Sequence, residues 1–203
     1  MQWDRFFEDL EDQLASEWEA ERAALDTEAE RLRLSRVTLR ERLHALIGRD
    51  GSNGTAPTFE FVDGSTISAE VSGLGVDWVA LQNAGRGRSL IVPLGAVCAI
   101  AMAHADVLRS ARPAPAAAPS ALADRMTFGF VLRDLVRRRV CVSVQLANNR
   151  LLTGTIDRAG ADHLDIALHD AGAPRRSDIV SGHRVIPLGA VAWVRLETAA
   201  SAY

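Results

Sequence analysis

The chain contains no lysine: all 23 of its basic residues are arginine, and alanine is abundant. A GC-rich coding sequence imposes that bias, so the arginines by themselves say nothing about phosphate recognition. Cysteine is scarce, with only Cys98 and Cys141, each inside an apolar strand-like run. A Cys-based metal site needs more ligands at short spacing. A disulfide needs an oxidising compartment that nothing else indicates. Both are therefore read as buried free thiols that act as small hydrophobes. No apolar run approaches the roughly 20 residues that cross a bilayer as a helix. The opening residues, MQWDRFFEDLEDQ, are acidic and lack the basic region, apolar stretch and small-residue cleavage site of a secretory signal. A cytoplasmic protein is expected. Also missing are a G-x-S-x-G elbow, a Cys–His arrangement, a phosphate-cradling loop and a zincin helix. The expectation is a non-catalytic protein with no cofactor and no metal.

What the sequence does have is charge, unevenly placed. Residues 1–31 hold 11 acidic and 3 basic side chains, a balance of −8, while residues 32–203 hold 15 and 20, a balance of +5. Within the acidic start, apolar residues fall at Trp3, Phe6, Phe7, Leu10, Leu14 and Trp18, then at Leu25 and Leu32. Steps of three, four and seven put them on one stripe. No Gly or Pro occurs before Gly48. The spacing predicts an amphipathic helix over 1–34, and the heptad break between Leu14 and Trp18 argues against a long coiled coil. Such a stripe must pack against something: the rest of the chain, a second copy, or a protein partner. The acidic polar face opposes binding to a membrane surface.

Next comes an internal repeat. VPLGAV at 92–97 returns as IPLGAV at 186–191. RVTLRERLHALI (36–47) parallels RMTFGFVLRDLV (125–136), and GVD (75–77) parallels GAD (160–162). The two helical stretches start with Arg-x-Thr; Thr38 with Glu41 makes a capping box, whereas Thr127 is a simple N-cap because Phe130 replaces the Glu. Five strand-like pieces follow each helix. They are 58–62, 65–73, 78–83, 89–92 and 97–101, then 140–146, 151–157, 163–168, 183–186 and 191–196. Asp63-Gly64 and Asn148-Asn149 suit hairpin turns with positive φ. The spacing between matching residues is 89 at the helix, 85 at the turns and 94 at PLGAV, so the insertions lie in loops. Three prolines and many alanines in RSARPAPAAAPSA (109–121) read as an extended linker. The expected division is a helix at 1–34, a first unit at 35–103, a linker at 104–123, a second unit at 124–198 and a tail at 199–203.

A short helix, five short antiparallel strands and a tight turn before the last strand resemble the Sm-like small barrels of the LSm and Hfq families. In the second copy, Leu146, Asn148, Arg150, Gly154, Ile156 and Asp162 follow the order of the family's first motif; in the first copy, Phe61, Asp63, Gly64, Val71 and Asp77 do. A generic SH3-like or PRC-type barrel has the same strand count. The whole arrangement also resembles a group of actinobacterial proteins, which fits the Ala and Arg bias. The resemblance implies a mainly β fold with helices: an N-terminal amphipathic helix followed by two duplicated helix-plus-five-strand Sm-like or SH3-like barrels. In that family last-strand edges pair between barrels, so two copies in one chain could pair with each other; the sequence leaves open whether they touch. The base-reading groups of the family have no match: Leu81 and Ile166 stand where an Asn is used, and Pro-Leu-Gly where a Tyr-Lys-His element is used. RNA binding therefore does not carry over with the fold.

The candidate nucleic-acid contacts are Arg86, Arg88, Arg137, Arg138, Arg139, Arg175 and Arg176, with Arg150 and Arg184 as further basic residues to weigh. Arg137–Arg139 also sit where a helix C-terminus favours cations. His163 and His169 lie near Asp165 and Asp170 without a compact ligand spacing. Trp78 and Trp193 read as core. The candidate partner contacts are Trp3, Phe6, Phe7, Leu10, Leu14 and Trp18. The expected function is a cytoplasmic interaction or adaptor protein that binds protein or self-associates, including as a homo-oligomer. Nucleic-acid binding through Arg loops is the alternative.

Overall fold

The computed structural model describes residues 2–48, 56–83, 89–112, 125–171, 176 and 178–197, with the side chains of 2–17 and 20 left aside. Helix α1 (Gln2–Ser35) comes first, then α2 (Leu39–His44), whose capping box is complete: Thr38 Oγ1 accepts from Glu41 N, and the Glu41 carboxylate accepts from Thr38 N at 2.7 Å. Six strands follow: β1 (Thr58–Phe61), β2 (Thr66–Ser68), β3 (Glu70–Leu74), β4 (Trp78–Gln82), β5 (Ser89–Pro93) and β6 (Val97–Ala101). Then come α3 (His104–Ala111) and α4 (Phe128–Arg138). Five strands close the chain: β7 (Cys141–Leu146), β8 (Leu151–Ala159), β9 (His163–Leu168), β10 (Gly182–Pro187) and β11 (Val191–Leu196). All strand pairing is antiparallel, in a three-stranded sheet β2-β1-β6 and an eight-stranded sheet β10-β9-β8-β7-β11-β5-β4-β3.

The chain thus mixes helix and antiparallel sheet, and neither sheet closes on itself. The piece expected as one strand at 65–73 is two, split at Ala69, which is fully buried and bonds through its N–H to Pro57 O. That break separates the two sheets. Helix contributes more than a mainly β fold implies, because α1 alone runs 34 residues. The stretch expected as linker begins with α3. Ala-rich sequence favours helix once an anchor exists, and Arg42 of α2 supplies one by donating to Ser110 Oγ and Val107 O.

The repeated hydrogen bonds follow the repeated sequence. Leu94 N donates to Asp77 O and Leu188 N to Asp162 O, at 2.8 and 2.7 Å. Gly75 N bonds Trp78 O, and Gly160 N bonds His163 O. At both PLGAV segments a strand ends at Pro, one 3-10 turn follows, and the next strand begins at Val. Pro93 and Pro187 share nearly the same backbone angles, φ −60 and −59, ψ 135 and 138. The hairpin turns place Gly64 and Asn149 at φ 80 and 63, a left-handed conformation that Gly and Asn adopt most readily.

Two apolar clusters form the core. One gathers Leu43, Phe59, Phe61, Val71, Val79, Leu81, Leu90 and Val92 among others. The second gathers Phe128, Leu132, Val142, Val144, Ile156, Leu164, Ile166 and Val194 among others. Each borrows from the other half of the chain. Trp193 and Ala192, on β11, belong to the first cluster; Trp78 and Ile91, on β4 and β5, belong to the second.

Candidate functional site

The most elaborated feature is the joint between the two halves. Strands β5 and β11 pair antiparallel, with Val194 opposite Ile91 and Arg195 opposite Leu90. This pairing is what makes one eight-stranded sheet. Around it, the two halves exchange polar contacts. Asp77 Oδ1 accepts from Phe128 N at 2.6 Å, satisfying an orphan N–H at the start of α4. Trp78 Nε1 donates to Met126 O at 3.0 Å, and Val76 N donates to the same oxygen. From the other side, Trp193 Nε1 donates to Ser65 Oγ at 3.3 Å. The Arg195 guanidinium lies 5.7 Å from the Trp193 ring, a cation–π arrangement. Arg195 also pairs with Glu197, which accepts from Ser143 Oγ. Gly75 makes the close fit possible: a Cβ there would overlap the Trp78 indole and the Met126 carbonyl.

Outside the joint, four strand edges have no strand partner among the described residues, those of β2, β3, β6 and β10, of which β10 and β6 are the repeat counterparts of β5 and β11. Their residues match the joint position by position, 94 apart. Ile91 is 7% exposed inside the joint, and its counterpart Val185 is 70% exposed. Val191 to Val194 are all buried, whereas Cys98 and Ala99 of β6 are exposed and Val97 and Ile100 half-buried. Cys98, expected to be buried, is exposed because β6 is an edge strand.

A cleft of about 790 Å³ runs along β10 beside the end of α4. Arg137, Arg139, Arg158, Arg184 and His183 line it together with Asp157 and Asp165, and Val136, Ile156 and Val185 supply its apolar floor. The structure thus brings two of the sequence-predicted arginines, Arg137 and Arg139, together with Arg158 and Arg184. Arg138 pairs with Asp134 at 2.7 Å, and Arg137 contacts the same carboxylate, so part of this positive charge is compensated within α4. Arg139 is the left-handed residue that ends α4, at φ 52. Arg176 is exposed and apart from the cleft lining. Arg86, Arg88 and Arg175 lie outside the described residues.

Of the partner-helix candidates, the side chains of Trp3, Phe6, Phe7, Leu10 and Leu14 lie outside the described residues. Trp18, Leu25 and Leu32, spaced by seven, are each more than half exposed, so this part of the stripe does not pack on the sheets. The histidines are held locally: His169 Nε2 shares a hydrogen bond with Thr155 Oγ1, and His163 Nδ1 with Asp162 Oδ1. The His163 hydrogen bond holds the Asp162 carboxyl below the usual carboxylate range.

Sequence reasoning matched GVD to GAD but missed what the Asp of GVD does. The signal was present: an Asp at the end of a turn is a good acceptor for an incoming helix N-terminus. No helix among the described residues is long and apolar enough to cross a membrane. No protein-family model matches the chain, and no curated protein matches it either.

Proposed function

We propose that this is a non-catalytic cytoplasmic interaction protein, in which an acidic helix precedes two Sm-like small barrels joined edge to edge. The observation that carries the reading is the β5–β11 pairing, with each half lending a tryptophan to the other's core. A joint of that kind fixes two modules in one orientation and presents their remaining surfaces as a unit. The helix-then-strands order of α4 and β7 to β11, with β10-β9-β8-β7-β11 as neighbours, supports the family resemblance. The exposed Trp18, Leu25 and Leu32 support a partner-binding role for α1.

The arginine cleft favours one second reading, nucleic-acid binding. Against it stand the Asp134 pairing, the two aspartates in the lining and a lining without Phe, Tyr or Trp on which bases could stack.

Affinity purification of the tagged full chain from its host, with and without nuclease, separates the two. The interaction reading expects protein recovered in stoichiometric amount after nuclease. Recovery that vanishes with nuclease, together with salt-dependent RNA binding lost when Arg137–Arg139 and Arg175–Arg176 become Ala, overturns it in favour of the second.

A further inference from the structure

We propose that helix α1 of one copy of the chain lies in the arginine cleft of a second copy. This rests on the interaction reading and names the partner of α1. Trp18, Glu21, Leu25, Glu28 and Leu32 succeed one another at steps of three, four, three and four. That spacing puts all five on one side of the helix. All five are exposed, and Glu28 also meets Arg31 at 3.8 Å. A bulky apolar residue thus recurs every seven positions, with a carboxylate between each pair. This face does not suit a helix like itself. Packed on its own copy, it would carry Glu21 and Glu28 into the seam, where only like charge or apolar side chains would meet them. It suits a surface with apolar contact at the centre and guanidinium groups around it.

The cleft offers that combination. Val185 stands in it as the most exposed of the large hydrophobic side chains in the described chain, at 70%. Arg139, Arg158 and Arg184 are exposed around it. None of the three pairs with a carboxylate among the described residues. The lining's two aspartates leave its four arginines in excess, whereas residues 1–31 carry a balance of −8. Lengths agree as well. Trp18 to Leu32 spans about 21 Å of helix, and the six residues of β10 span about 17 Å. In the folded chain α1 stands clear of its own cleft: its described side chains are exposed, and none lines the cleft. Each chain therefore presents both surfaces at once, and two copies fill both by exchanging helices. Reciprocal exchange closes as a two-fold pair. The contact is made by side chains, a helix laid in a groove.

Light scattering after size exclusion on the purified full chain tests the pair, whose expected mass is twice 21.9 kDa. Glu21→Arg/Glu28→Arg should weaken the pair by about tenfold or more, and so should Arg158→Glu/Arg184→Glu. All four side chains are exposed, so the circular-dichroism spectrum of each variant should match the parent's. The chain carrying all four changes should regain the pair, because the charges are then exchanged across the contact. A 1:1 mixture of the two double variants should regain it for the same reason. A single-chain mass for the parent at every concentration overturns the proposal. So does a pair that survives reversal of the cleft and is lost only on reversal of the helix, as packing of α1 on α1 would give. A chain with all four changes that stays single overturns it too. In each of these cases stoichiometric recovery of another host protein leaves the interaction reading in place. That reading fails separately, if the host recovers the chain with nucleic acid alone.

Discussion

Replacing Trp78 with Ala tests whether the joint holds the two halves together. The indole is 7% exposed, packs in the cluster of the opposite half, and donates to Met126 O. Truncating a buried Trp costs about 3–5 kcal/mol. For a chain of this length, each kcal/mol moves the thermal midpoint by about 2–4 °C, so a fall of about 6–20 °C is expected. Trp78→Phe divides the effect. It keeps most of the packing and loses one hydrogen bond, and Met126 O still accepts from Val76 N. That variant should lose only about 1 kcal/mol. The assay is thermal unfolding by circular dichroism, paired with native-state hydrogen exchange. Amides of β5 and β11 should lose more protection than those of β8 and β9, which lie farther along the sheet from β4, the strand that carries the indole. A Trp78→Ala protein that melts within about 2 °C of the parent, with β5 and β11 protected as before, would refute the idea that the indole joins the halves.

Gly75→Ala should weaken the same joint by about 1–3 kcal/mol through overpacking, since its Cβ would overlap the Trp78 ring and the Met126 carbonyl; urea denaturation checks this. The capping box of α2 has a defined pH dependence. The hydrogen bond from Thr38 N holds the Glu41 carboxyl below its ordinary range. A carboxyl depressed in the folded state contributes stability above its unfolded pKa and loses it as pH falls through the folded one. Urea midpoints of the parent should therefore fall on acidification, and those of Glu41→Ala should fall less. Removing residues 1–31 should leave the thermal midpoint within about 2 °C, because the described side chains of α1 are exposed, while partner recovery from the host drops.

Local features were legible in the sequence because local rules govern them. The 3-10 corner at each PLGAV, positive φ at Gly64 and Asn149, and the caps at Thr38 and Thr127 all follow from residue type and immediate neighbours. Trp78 and Trp193 were rightly read as core, but not as core of the opposite half, since strand alternation gives a face and not the owner of that face. The split at Ala69 escaped because β-branched residues flank it, Thr66 and Ile67 before and Val71 after, with no Gly or Pro at the break. The start of the linker hid α3, since alanines before prolines read equally as helix or extended chain until a contact such as Arg42–Ser110 decides. The cleft was half visible. Arg137 and Arg139 stood out as a run, whereas Arg158 and Arg184 join them only through the pairing of β8, β9 and β10.

The exchange of tryptophans also bears on how the chain comes off the ribosome. Strand β5 is complete by Pro93, but its partner β11 begins at Val191. At about 5–20 residues per second of synthesis, the first half waits roughly 5–20 s with its β5 edge bare and without Trp193 in its core. Throughout that interval β5 is a bare edge open to β11 of another molecule. Fast elongation through the stretch between the halves would favour the closed monomeric joint, and stalling there would favour swapped pairs, so codon usage in that stretch becomes part of the folding mechanism.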